Sequence, residues 1–207
     1  MRYPKIRELV EAVKALVSGP YTINFPRKPV EPAKRFRGKP EYSNEGCIAC
    51  TACSFICPAR AIEFRDVVTP EKATRKMILH LDECHYCGQC SALCTTRDDN
   101  PPGVKHTVKF DLAGYDRADM VSVTDEKELA LCDMCGGVVT SKAHLRWIVK
   151  KIGPLAFSNP TLFISSLKGM GFSEDVLEAA LDMARTRSDR IKVLCAKCRR
   201  KATIERL

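Results

Sequence analysis

The spacing of the cysteines constrains this chain more than any other feature. Cys47, Cys50, Cys53 and Cys57 read CIACTACSFICP, and Cys84, Cys87, Cys90 and Cys94 read CHYCGQCSALCT. Cys132 and Cys135 form a further unit, LCDMCGG, and Cys195 and Cys198 another, LCAKCRR. All twelve cysteines therefore fall in a CxxC unit or four residues beyond one, the spacing that lets neighbouring thiolates converge on one ion or cluster. A secreted chain this rich in cysteine would suggest a disulfide framework. The spacing argues for metal instead. The opening MRYPKIRELVEAVKALVSG also lacks the unbroken apolar core and small-residue cleavage site of a signal peptide, so a reducing, cytoplasmic setting is expected.

Both four-cysteine runs fit the CxxCxxCxxxC pattern of bacterial two-cluster ferredoxins, with Pro58 after the first run and Thr95 where the second would have proline. A four-iron core needs four thiolates around it, and a tight loop supplies three. In this pattern the last cysteine of each run serves the other cluster. The expected sets are Cys47, Cys50, Cys53 and Cys94 for a first 4Fe-4S cluster, and Cys84, Cys87, Cys90 and Cys57 for a second. Crossed ligation would hold the two clusters close together in one fold, so that electrons pass between them. The region has no paired base and nucleophile, no phosphate-cradling glycine loop and no open metal position. It reads as an electron carrier without a catalytic site of its own. His85, which lies between ligands, and His80, His106 and His144 are expected to be neighbouring or surface imidazoles, because both sets are complete without them.

Cys132, Cys135, Cys195 and Cys198 make two knuckles suited to a closed tetrahedral site, the arrangement of structural zinc. A rubredoxin-like iron would use the same four sulfurs. Zinc is favoured by the basic, polar surroundings of the second knuckle and by the suitability of a redox-inert ion for closing a fold. The long excursion between the knuckles would then be stapled at its two ends.

Residues 4–18 set Ile6, Leu9, Val10, Val13, Leu16 and Val17 at helical spacing, with Gly19 and Pro20 ending the helix. Arg2, Lys5, Arg7 and Lys14 flank the stripe, which suits a lipid interface and equally suits packing on a core or partner subunit. Pro20, Pro26, Pro29, Pro32 and Pro40 make the next stretch an extended arm. Ala61 to Leu81 reads as a hairpin between the ligand loops. HTVKF reads as a strand, and helices are expected over 125–131, over 142–152 after Ser141, from Asn159-Pro160 to Leu167, and from Ser173 to about Arg185. The fold class is α+β: an amphipathic helix and arm over 1–41, a two-cluster ferredoxin-like core over 42–110, and a small helical domain over 111–207 closed by a zinc-ribbon-like four-cysteine site.

No run approaches the 18 or so consecutive apolar residues of a membrane span, so any membrane contact is expected to be peripheral, through residues 4–18. The net charge of +9 suits nucleic acid, an anionic lipid surface or an acidic protein about equally. The basic RRKATIERL tail lacks stacking aromatics, so no nucleic-acid partner is expected from a zinc-ribbon module.

On YTINFP, RFRG, CIACTACSFICPARAI and DECHYCGQC, the region from Pro20 to about Cys94 resembles the two-cluster ferredoxin-type subunit of respiratory complex I and of membrane-bound energy-converting hydrogenases. The four-cysteine tail is more similar to the corresponding subunit of formate hydrogenlyase-type complexes. The resemblance implies a relay that takes electrons from upstream clusters and delivers them towards the cluster of a catalytic or quinone-facing subunit. It also implies an N-terminal helix along the membrane arm, on the cytoplasmic face. Its partners would be the other subunits of a hydrogenase or sulfur-reducing complex, with a ferredoxin donor or acceptor as a further candidate; a free soluble ferredoxin is the alternative. After Cys94 the chain departs from the family, with TTRDDNPPG in place of the usual CPxxAI turn and helix. That departure bears on the cover of the cluster held by Cys84, Cys87 and Cys90.

Overall fold

A computed structural model describes residues 5–22, 24–171 and 192–204. They fall into two compact units, one up to Phe36 and one from Arg37 onward. In the first, α1 (Ile6–Ser18) begins with the Lys5 N–H donating to Glu8 Oε2 at 3.0 Å and ends at Gly19, whose φ of 70° a glycine adopts without strain. None of the residues of α1 is buried, and Ile6, Leu16 and Val17 are each more than four-fifths exposed. The described residues between α1 and Pro40 form neither helix nor strand, as the prolines require.

The second unit is built on a β-hairpin. β2 (Ile62–Val68) and β3 (Ala73–His80) pair antiparallel from Ile62↔Leu79 to Val68↔Ala73. Pro70 favours the turn between them, and Lys72 closes it by donating its N–H to Thr69 Oγ1 at 3.1 Å. Met77 and Leu79, two apart on β3, turn to the same face and are fully buried. They pack with Ile62, Leu81, Val104 and with Cys47, Cys53 and Cys90 of the two ligand loops into one core. A second, two-stranded ladder joins β1 (Pro40–Tyr42) to β4 (Val104–His106), with Tyr42 opposite Val104 and Pro40 opposite His106. Short helices follow each ligand loop: α2 (Ala52–Ile56) and α3 (Gln89–Ala92).

Two expectations are corrected here. Residues 125–131 do not form a helix. β6 (Lys127–Leu131) pairs with β3 at Thr74↔Glu128 and Arg75↔Lys127, and with β7 (Val138–Ser141) on its other side. The helix-favouring letters of EKELAL are overridden by the open edge of β3, which also takes β5 (Val121–Val123). The strand expected over HTVKF lies earlier and ends at His106; Thr107 and Lys109 continue the contact irregularly, exchanging bonds with Gly38 and Lys39. Because β5 and β6 add to the hairpin, the sheet draws on residues on both sides of 110, and the described residues from Arg37 onward form one compact unit.

The helices after β7 follow their caps. Ser141 Oγ accepts from His144 N at 3.0 Å to open α4 (Lys142–Ile152). Asn159 Oδ1 accepts from Thr161 N and Leu162 N to open α5 (Pro160–Gly169), with Pro160 at the first helical position. Leu145, Ile148 and Val149 of α4 pack with Ala156 and Leu162 into a small core of their own. α6 (Ala196–Ile204) carries the last cysteine. The helix expected from Ser173 lies outside the described residues. Among the described residues, no helix is long and apolar enough to cross a membrane.

Candidate metal centres

The two ligand loops share an unusual backbone. Ala49 and Thr51 in the first have φ of 50° and 69°, and the matching positions of the second, Tyr86 and Gly88, have 52° and 83°. A left-handed residue at these points coils the loop tightly and turns amide N–H groups towards sulfur. The Tyr86 N–H reaches Cys84 Sγ at 3.4 Å, and in the first loop the Ala49 N–H faces Cys47 and acts to lower its thiol against the larger raising effect of burial. Glycine meets this geometry freely at one of the four positions, whereas Ala, Thr and Tyr each cost on the order of 1 kcal/mol. The surroundings must hold them in place.

The structure sorts the eight cysteines crosswise. Cys47, Cys50, Cys53 and Cys94 line one cavity, with Tyr42, Met77 and Thr96. Cys57, Cys84, Cys87 and Cys90 line another, with His85 and His106. The last cysteine of each run thus leaves its own loop for the other. Cys53 lies near enough to Cys90 that charge on Cys90 raises the Cys53 thiol. Burial pushes the Cys53 thiol up to about 12 and Cys90 to about 11, and raises Cys47 and Cys84 as well. Thiols so placed stay protonated unless a cationic core draws off the protons, and four sulfurs around one apolar cavity form the donor set that an iron–sulfur core uses.

Side chains outside the CxxC units also reach sulfur. The Tyr42 hydroxyl lies 3.5 Å from Cys53 Sγ; burial and the Cys53 charge hold it far above the usual phenol range, so it remains a donor. Thr95 Oγ1 is 3.1 Å from Cys50 Sγ, and Thr96 Oγ1 is 3.4 Å from Cys94 Sγ. TTRDDNPPG therefore bears on the first cavity rather than on the second as expected, because Cys94 has already crossed over when the segment begins. His106 lies beside the second cavity, Nε2 3.9 Å from Cys90 Sγ and Nδ1 2.7 Å from the Gly38 carbonyl.

The loops differ in what grips them. Arg75, buried on β3, pairs with Asp66 at 2.6 and 2.7 Å, lies over the Phe64 ring and donates to the Ala49 carbonyl at 3.1 Å. The Ser141 hydroxyl donates to the Ile48 carbonyl. Thr96 Oγ1 donates to the Gly46 carbonyl at 2.9 Å, and Lys127 Nζ to the Asn44 carbonyl at 2.6 Å. On the second loop, Arg37 Nη1 donates to the Cys87 carbonyl at 2.5 Å. This gives the RFRG motif a physical role, for at Gly38 a side chain would meet the Lys109 carbonyl oxygen at 2.2 Å. Tyr42, Arg75, Thr95 and Ser141 carried no signal as cluster neighbours, since their approach comes from pairing between distant segments.

The remaining four cysteines gather more tightly. The sulfurs of Cys132, Cys135, Cys195 and Cys198 all lie within 4.8 Å of one another, with Cys135 and Cys195 at 3.8 Å. Bonds of about 2.3 Å to one tetrahedral ion set ligands about 3.8 Å apart, so the knot suits a single ion. Among the described residues, no other three cysteine sulfurs draw together so closely. Burial opposes ionisation of Cys132, but the N–H groups of Cys195, Cys135 and Met134 outweigh it and bring the thiol to about 6. Cys198 is pushed up to about 12 by hydrogen bonds with Cys135 and Cys195, helped by burial. One thiolate beside protonated neighbours is a natural first anchor for a divalent cation. Asp133 closes the base: Val193 N donates to its carboxylate at 2.6 Å, and its own N–H donates to the Val193 carbonyl at 2.9 Å.

Residues 46–97 match the 4Fe-4S dicluster domain family. Subunit I of an NADH-quinone oxidoreductase from Geobacter metallireducens is 29% identical over 131 residues, which span 60% of this chain and 96% of that one. Formate hydrogenlyase subunit 6 from Escherichia coli is 39% identical over 61 residues, 29% of this chain and 34% of that one. A chain of an archaeal membrane-bound sulfane sulfur reductase, 26% identical over 58% of this chain and 61% of its own, superposes with a TM-score of 0.38. The chain carries a ferredoxin-like 4Fe-4S domain and is homologous to subunit I of NADH-quinone oxidoreductase and to formate hydrogenlyase subunit 6.

Proposed function

We propose that this homologue of respiratory and hydrogenase subunits is an electron relay within a membrane-bound, complex I-like oxidoreductase of the hydrogenase or sulfur-reducing kind. The observation that carries the reading is the crosswise sorting of eight cysteines around two cavities in one core. Cys47, Cys50, Cys53 and Cys94 hold the first 4Fe-4S cluster, and Cys57, Cys84, Cys87 and Cys90 the second. When bound, each cluster accepts and releases one electron at a time. The chain's own residues fix the two ligand sets in one rigid core, direct amide N–H groups at sulfur, and exclude water with Tyr42, Met77 and Ile62. The four-cysteine knot is a zinc-ribbon-like closure holding one zinc, for which the spacing of its sulfurs is the support; an iron would fit the same ligands.

The partners are the other subunits of the complex, among them a cluster-bearing catalytic subunit that takes the electrons, with a soluble ferredoxin as donor or acceptor. The apolar stripe of α1, with no residue buried, supports peripheral contact at the cytoplasmic face of the membrane.

The test is metal analysis and native mass of the chain isolated without oxygen. About eight irons and one zinc per chain are expected, in an assembly that sediments with membranes. Colourless, iron-free protein, or cysteines joined to one another, would overturn the reading. Two clusters in a freely soluble monomer would leave the electron-carrier chemistry standing and replace the relay with a diffusing ferredoxin.

A further inference from the structure

The Ile48–Ala49 peptide sits between the C-terminal lobe and the first ligand set. On one side its carbonyl accepts from Ser141 Oγ; on the other its N–H faces Cys47, with the same left-handed backbone at Ala49 as at Tyr86 in the second loop. Ser141 is fully buried, and its oxygen in turn accepts from His144 N at 3.0 Å, the first turn of α4. Hydrogen bonds therefore run from the start of α4 through one hydroxyl to the peptide that faces a cysteine of the first cavity. Bonds in such a chain polarise one another, so a donor on the carbonyl strengthens the N–H on the far side. The matching peptide of the second loop, His85–Tyr86, offers its N–H to Cys84 Sγ at 3.4 Å. Among the described hydrogen bonds, no side chain donates to the His85 carbonyl.

We propose that Ser141 is a positioning residue that raises the reduction potential of the first cluster and leaves the second untouched. The inference rests on the reading that the first cavity holds a 4Fe-4S cluster. Adding an electron makes a cluster more negative, and a stronger N–H donor to its sulfur stabilises that form, which raises the potential. Ser141 stands at the end of β7, a short strand leading from the Cys132–Cys135 knuckle. The lobe closed by the knot thereby sets how firmly the first cluster holds its electron.

The test uses the full chain isolated without oxygen, with both clusters titrated by EPR-monitored reduction. Ser141→Ala is expected to shift the first cluster's midpoint downward with the second unmoved, and Ser141→Thr, which keeps the hydroxyl, to restore it. Ser141→Gly is the second variant, because glycine is tolerated at a helix N-cap nearly as well as serine; it is expected to give the same downward shift. Thr95→Val, which removes the hydroxyl 3.1 Å from Cys50 Sγ, identifies the first cluster's signal as the one it alters. An unmoved first potential in the Ala and Gly variants, or equal shifts of both clusters, overturns the proposal while leaving the clusters in place. Loss of iron from the unaltered protein would instead defeat the reading on which it rests.

Discussion

The first and second ligand loops have the same cysteine spacing and the same left-handed backbone at matching positions, yet they live in different settings. The first is gripped by Arg75, Ser141, Thr96 and Lys127, from segments up to about a hundred residues away, and its Cys47 and Cys53 are nearly fully buried. The second has Arg37 on its Cys87 carbonyl, and its Cys84 and Cys87 are half-buried. Twin loops thus give twin coordination, while the rest of the chain makes them unequal in water access and hydrogen bonding. Those are the levers by which a protein separates the potentials of two clusters of one type. α4 reinforces the asymmetry, since Trp147 Nε1 and Lys151 Nζ both donate to Asp99, at 2.5 and 2.8 Å, in the segment that follows Cys94.

The harshest way to break the comparison is to exchange the crossing cysteines. Cys94→Ser should remove the first cluster's EPR signal and spare the second, and Cys57→Ser should do the reverse, each with loss of up to about four irons. Loss of the opposite signal in either variant would refute the crossed assignment. Met77→Ala should destabilise the shared core by about 2–5 kcal/mol in denaturant unfolding, because its side chain is fully buried and lines the first cavity. The midpoint of the first cluster should move more than that of the second.

The two arginine anchors sharpen the contrast. Arg75→Ala leaves the Asp66 carboxylate and the Ala49 carbonyl without their partner and should cost about 3 kcal/mol, whereas the exposed Arg37 should cost about 1 kcal/mol when changed to Ala. Equal losses in urea titrations would mean that the loops are held with similar firmness. The smallest effect is expected at Glu126, whose carboxyl is lowered to about 2 by hydrogen bonds with Lys72 and Lys76. A carboxyl lowered by folding adds stability above its ordinary pKa, and loses it as pH falls towards the lowered value. Glu126→Gln should flatten that part of the acid-unfolding curve slightly, and added salt should erase the difference, because the pair is exposed.

Much of the molecule was legible in its letters because the signals are local. CxxC spacing places thiols within reach of one metal whatever surrounds them, and Ser141 and Asn159 cap the helices they announce because a cap needs only the next three residues. The hairpin followed from alternation along Ala61 to Leu81. EKELAL misled for the opposite reason: its propensity is helical, and it forms a strand only because β3 offers an unpaired edge some fifty residues earlier in the chain. The role of the segment after Cys94 was misjudged in the same way, since which cavity it covers depends on where Cys94 has been carried.

By itself, then, the sequence determined which atoms can bind metal, how they group within each loop, and where α4 and α5 begin. Tertiary structure alone decided that Tyr42, Thr95, Arg75 and Ser141 surround the first loop and that His106 stands beside the second. Short-range chemistry can be read along a chain. The hydrogen bonds that make two like sites unlike come from residues brought together by long-range packing, and no local pattern records them.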